Sequence, residues 1–148
     1  MNRLKPIETA YRGYRFRSRL EARWAVAFDD YPFFRWEYEP QGFDLDGTPY
    51  LPDFRIWWDS DTYSWLEVKP DGYEPTSKEH EIYQAMANGT QGGLYLLRGI
   101  NPGYRLYRPN DQAVIDRRES FVEPHSLHAG RSARFEHGEN GAPLGGRR

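Results

Sequence analysis

The residues best suited to chemistry are Asp53, Glu67 and Lys69. On an extended chain Tyr50, Pro52, Phe54 and Ile56 point one way, and Leu51, Asp53 and Arg55 the other. Between Tyr63 and Lys69, Leu66 and Val68 share one face, and Trp65, Glu67 and Lys69 the opposite one. A hairpin centred on Ser60 sets Trp58 against Thr62 and Asp53 directly against Glu67. Opposed side chains have Cβ atoms ~5 Å apart. Two carboxylates that close repel each other unless one is protonated or a cation sits between them. With Lys69 beside them they have the makings of a hard-metal site. Oxygen donors suit Mg²⁺, which keeps several waters and takes one or two carboxylates. The competing reading is a solvated hairpin face with an ion pair. Pro52 favours a site, because proline in a strand marks an edge or an irregularity.

The elements that must position these residues follow from periodicity. Leu20, Trp24, Ala27 and Phe28 lie on one helical face, so a first helix starts near Ser18 and ends at Pro32. Ser18 and Glu21 have capping-box spacing. Strands are expected at Arg35 to Glu39, Phe43 to Gly47, about Tyr50 to Trp58, and Tyr63 to Lys69. Their short turns predict antiparallel pairing. Pro75-Thr76-Ser77 opens a second helix with Ile82, Ala85 and Met86 on its apolar stripe, and Asn88-Gly89 suits its end. Leu94 to Leu97 lacks alternation, as in a strand buried on both faces. A strand, a helix and a buried strand in that order predict a right-handed parallel crossover. Asn101-Pro102-Gly103 turns into a last strand, Tyr104 to Tyr107. From Pro124 the chain holds 5 of its Gly and 3 of its 4 His. It reads as a mobile polar tail with a helical turn at Arg131 to Glu136. The expected organisation is an α/β domain over residues 1–123 with a mixed central sheet, and a flexible tail over 124–148.

Composition excludes several function classes. Of 148 residues none is cysteine, which removes thiol nucleophiles, disulfide scaffolds and zinc-thiolate sites. No apolar run approaches a membrane span and no signal peptide is evident, so a soluble cytoplasmic protein is expected. Net charge is −2 but uneven. Residues 1–24 carry seven Lys/Arg against two Asp/Glu, and residues 25–123 carry nine against eighteen. A basic front on an acidic body fits an anionic partner at one face. Arg12, Arg15, Arg17, Arg19 and Arg23 are the candidates for phosphate contacts, against a plain solvated helix face. Arg15, Arg19 and Arg23 fall on one face if the helix extends backward. Tyr11 and Tyr14 interleave with them and are placed either to stack on bases or to pack under the sheet. His125, His128 and His137 have metal-like spacing in a glycine-rich segment, where ordinary tail composition is the simpler account.

Pro52-Asp53, a 13-residue spacer and Glu67-Val68-Lys69 resemble the signature of the PD-(D/E)xK nuclease superfamily. Phe16 to Trp24 is similar to the opening helix of a small phage and bacterial branch of it. Tyr38 to Phe43 and Tyr50 to Phe54 continue the likeness, which spans about residues 11 to 107. The resemblance implies an αβββαβ restriction-endonuclease-like core and Mg²⁺-dependent hydrolysis of DNA, with Mn²⁺ as a substitute. It implies that Asp53, Glu67 and the Val68 carbonyl bind the metal. Lys69 then positions or activates the attacking water, and Glu21 is the helix-borne acid near the metal. For Glu21 the alternative is the capping box alone. Gln84 and Tyr83 stand where some members carry an accessory polar residue. A nuclease-like fold that binds nucleic acid or protein without catalysis is the alternative function, and RNA is the alternative substrate. A second copy or a protein partner is compatible with either.

Overall fold

The computed structural model describes residues 8–33 and 35–135. The described chain opens on a hairpin of β1 (Thr9–Tyr11) and β2 (Tyr14–Phe16). Arg12 and Gly13 turn it with φ of 52° and 85°, the left-handed pair that a two-residue hairpin turn requires. Arg15 therefore lies on a strand, and the backward extension of the first helix does not form. Helix α1 (Arg19–Asp30) begins where Ser18 caps it. Ser18 Oγ accepts the Glu21 N–H at 3.1 Å, and Glu21 Oε1 accepts the Ser18 N–H at 3.2 Å.

The chain continues through β3 (Arg35–Tyr38), β4 (Phe43–Leu45), β5 (Thr48–Tyr50), β6 (Phe54–Trp57) and β7 (Tyr63–Lys69). Then come α2 (Ser77–Asn88), β8 (Leu94–Arg98), β9 (Tyr104–Tyr107), β10 (Ile115–Arg117) and α3 (Pro124–Ser132). Six strands form one mixed sheet in the order β10-β9-β8-β7-β6-β3. Among the described strands only β7 and β8 are parallel neighbours, joined through α2 as the crossover reading requires. On one face, Phe16, Trp24 and Phe28 pack on Phe54, Leu66 and Leu97. On the other, Tyr83 and Met86 of α2 cover Trp65, Leu94 and Leu96. Leu96 and Leu97 thus enter opposite cores, which accounts for the unalternating run.

Two expectations are corrected by packing. The long strand from Tyr50 to Trp58 is broken at residues 51–53, and its first part pairs with β4 in a separate hairpin. Pro52 has no N–H to donate to a ladder, so pairing stops there. The stretch after Pro124 forms a helix docked on α1, with Leu127, Ser126 and Gly130 buried. A Cβ at Gly130 would lie 2.6 Å from the Arg23 carbonyl oxygen, so the two helices meet at a distance only glycine allows. Asp30 Oδ2 accepts bonds from Ser126 Oγ at 2.8 Å and His125 Nδ1 at 2.7 Å. The expected helical turn at 131–136 is not separate, because α3 ends at Ser132. His137 and residues 136–148 lie outside the described residues. Among the described residues no helix is long and apolar enough to cross a membrane.

Candidate functional site

The β6–β7 register is Phe54 with Leu66 and Trp57 with Tyr63, and Trp58 N–H donates to the Thr62 carbonyl at 2.9 Å. The hairpin is centred on Ser60, as the sequence predicts. One step past Phe54 brings Asp53 level with Glu67. Asp53 stands just before β6, where its carbonyl still accepts the Glu39 N–H at 2.8 Å and its Oδ2 accepts the Val68 N–H at 2.8 Å. In a strand the N–H and C=O of one residue leave on the same edge. The neighbouring odd positions of β7 turn toward β8, where Trp65 N–H reaches the Gly93 carbonyl and the Lys69 carbonyl receives Gly99 N–H. The Val68 carbonyl therefore lies on the Asp53 edge. Glu21 reaches the same place from the first turn of α1, and its Oε1 accepts the Tyr38 hydroxyl at 2.9 Å. Glu21, Asp53 and Glu67 are 7%, 8% and 6% exposed, so three acids are nearly removed from water together. They border a cleft of about 800 Å³ with Arg19, Leu51 and Lys69.

Burial disfavours the charged form of each acid. It raises the Glu21 carboxyl, against the pull of the Tyr38 hydroxyl and of a hydrogen bond with Asp53. Two carboxyl groups can share such a bond only when one keeps its proton. Asp53 is held well above the usual carboxylate range by burial, then by the Glu67 and Glu21 charges, with the Val68 N–H and Lys69 opposing. Glu67 is pushed up to about 7 by burial, although the Tyr50 hydroxyl and Lys69 favour its anion. Lys69 and Arg19 line the cleft with the three buried acids, and Arg17 is paired with Glu39. A divalent cation among oxygen donors is the other way to relieve them, and this donor set fits Mg²⁺ or Mn²⁺ with water completing the shell. Among the described residues no three His, Asp or Glu side chains form a ready-made metal cage.

Lys69 Nζ lies 3.6 Å from Glu67 Oε2 and 4.0 Å from Glu79 Oε2, with the Tyr73 ring centroid 5.2 Å away. Glu79 also caps α2, accepting the Thr76 N–H at 2.9 Å, and receives the Tyr73 hydroxyl. Glu79 was not singled out by sequence reasoning, although Thr76 and Glu79 have the same capping spacing as Ser18 and Glu21. Tyr50 was assigned to the face opposite Asp53, yet its hydroxyl donates to Glu67 Oε1. The break at residues 51–53 swings it round.

The five arginines expected to contact phosphate fare differently. Arg23 Nη1 donates to the carbonyls of Gly130, Arg131 and Ala133 at 3.3, 2.7 and 2.9 Å. It caps α3 and is not a phosphate contact in this arrangement. Arg15 pairs with Glu8 at 3.4 Å, and Arg17 with Glu39 at 2.6 Å. Arg19 lines the cleft, and its buried Nε has no hydrogen-bond partner among the described residues. Arg12 pairs with Asp29, and Tyr11 bonds to the same carboxylate. Tyr14 packs on Trp36 with ring centroids 5.2 Å apart. Gln84 bonds to Asn88 and the Arg108 carbonyl, away from the acids, while Tyr83 is buried beside Tyr50. His125 is committed to Asp30, which leaves the His125 and His128 metal reading without support. No family model, curated protein or solved structure matches the chain.

Proposed function

We propose that the chain is a divalent-metal-dependent nuclease that hydrolyses DNA phosphodiester bonds on a PD-(D/E)xK core. The observation that carries this reading is the burial of Glu21, Asp53 and Glu67 against one another in a cleft that also holds Lys69. The order α1, β3, β6, β7, α2, β8 supports it. It follows the αβββαβ plan of that superfamily, with β4 and β5 as a hairpin between the first and second strands. Asp53, Glu67 and the Val68 carbonyl would hold Mg²⁺ or Mn²⁺. The bound ion supplies charge neutralisation at the phosphodiester and lowers the pKa of water.

The chain's own groups do the rest. Lys69, one residue beyond Val68, orients the attacking water and offsets negative charge as it builds on the phosphate. Glu67 and Glu79 fix its amine from two sides. Arg19 offers a guanidinium donor to a non-reacting phosphate oxygen. Leu51 and Leu20 give the cleft apolar walls that limit water around the reacting atoms.

The test incubates plasmid, linear, single-stranded and branched DNA with Mg²⁺, Mn²⁺ or EDTA. Cleavage should require the metal. Lys69→Ala should keep DNA and metal binding but lose ~100-fold or more in rate, the scale of a positioned electrostatic or proton-transfer group. Lys69→Arg should not restore it, since a guanidinium keeps its proton and has a different reach. Full cleavage in EDTA, or a normal rate in Lys69→Ala, would overturn the mechanism. DNA binding without cleavage under every condition would leave the non-catalytic alternative.

A further inference from the structure

Each of the three buried acids in the cleft is gripped by a neutral donor from another part of the chain. Glu21 Oε1 takes the Tyr38 hydroxyl, Asp53 Oδ2 takes the Val68 N–H, and Glu67 Oε1 takes the Tyr50 hydroxyl. Two of these donors come from the sheet itself, Tyr38 on β3 and Val68 on β7. Tyr50 is different, because it ends β5, and among the described residues β4 and β5 pair with each other and with no other strand.

That hairpin sits over the α2 face, where Phe43 stacks edge-on against Trp65 at 5.3 Å and Tyr50 lies 6.4 Å from Tyr83. The ring of Tyr50 is thus packed independently of its hydroxyl. The hydroxyl reaches a single oxygen of Glu67 and leaves Oε2 to Lys69. A carboxylate on a strand has two free side-chain torsions beyond χ1, and a donor on one oxygen removes much of that freedom. Partners that orient a metal-binding side chain change affinity or activity by ~10–100-fold when removed.

We propose that Tyr50 is a positioning residue for Glu67, and that the β4–β5 hairpin delivers it. The inference rests on the nuclease reading above. Tyr50 touches no reacting atom. It holds Glu67 by Oε1 while Oε2 faces Lys69, the orientation in which the carboxylate would hold the ion.

A buried tyrosine also needs a partner for its hydroxyl, so a purely structural role must be separable from this one. Tyr50→Phe removes one oxygen and keeps the ring contacts, and melting by circular dichroism verifies its fold. Mn²⁺ affinity is measured by calorimetry on the protein alone, and cleavage in parallel on a fixed DNA substrate. Tyr50→Phe should weaken Mn²⁺ binding ~10-fold and lower kcat ~10-fold or more, with KM for DNA unchanged. In a Glu67→Gln background, Tyr50→Phe should have no further effect on Mn²⁺ affinity, because the carboxylate it orients toward the ion is gone. A structural role predicts a lower melting temperature with Mn²⁺ affinity and kcat intact, and that outcome overturns the proposal. If Tyr50→Phe does not fold, Phe43→Leu loosens the hairpin while keeping the hydroxyl. It should then lower Mn²⁺ affinity in the same direction, and unchanged affinity would count against the hairpin's role. A wild type that binds Mn²⁺ and cleaves DNA while Tyr50→Phe equals it removes this inference alone. A wild type that binds no Mn²⁺ and cleaves nothing removes the nuclease reading and this inference together.

Discussion

Asp53→Asn and Glu67→Gln should each abolish metal-dependent DNA cleavage, and each should raise the melting temperature of the metal-free protein at pH 8. Both effects come from one source. Burial and mutual repulsion raise the Asp53 and Glu67 carboxyls above their ordinary values, Glu67 to about 7. The folded chain therefore binds protons more tightly than the unfolded chain at these positions. Stability falls as pH rises from the ordinary carboxylate range, about 4, through the folded value. Above it the full penalty of the buried charges is present. The neutral amides remove that penalty and keep the geometry. The amide oxygen of Asp53→Asn can still accept the Val68 N–H, and that of Glu67→Gln the Tyr50 hydroxyl. The gain over wild type should be largest at pH 8 and should vanish near pH 4. Mg²⁺ should raise the wild-type melting temperature at pH 8, with little effect on Asp53→Asn. Melting curves from pH 4 to 8, with and without Mg²⁺, check every part of this. Amide variants that melt lower at pH 8 and still cleave would remove the paired acids from the mechanism.

A chain ending at Glu123 should be destabilised by on the order of 5 kcal/mol, comparable with the whole stability of a small domain. Leu127 is 4% exposed, and burying such a side chain contributes ~2–3 kcal/mol. Arg23 would lose three carbonyl acceptors, and Asp30 its two donors. The part-buried Arg23 bonds contribute ~1 kcal/mol each or less. Urea denaturation of chains ending at Glu123 and at Phe135 makes the comparison. Equal midpoints would show that α3 contributes nothing to the fold.

What the sequence revealed and what it hid can be traced to particular residues. The Ser18 and Glu21 spacing located the start of α1, because a capping box is a local hydrogen-bond pattern. The turn at Asp59 to Asp61 set the β6–β7 register, and with it the meeting of Asp53 and Glu67. Non-local consequences were hidden. Arginine spacing every four residues suggested a longer helix, while Arg12-Gly13, a turn signal, had already ended that possibility. Pro52 was noticed as an irregularity, but not that the break would carry Tyr50 to Glu67. Helix α3 was missed because it packs through Gly130 and one leucine. Small residues allow close approach, but they resemble tail composition when read in isolation.

The docking of α3 on α1 has a consequence for synthesis. Glu21 is made early, but the helix that carries it is not covered until residues around Leu127 have left the ribosome. The sheet beneath also needs β8, β9 and β10, all made after the last of the three acids. Long-range pairing of this kind forms late, because distant segments must first be brought together. A nascent chain should therefore carry Glu21, Asp53 and Glu67 unassembled until α3 has emerged. A site built this way is brought together only once α3 is free to dock on α1.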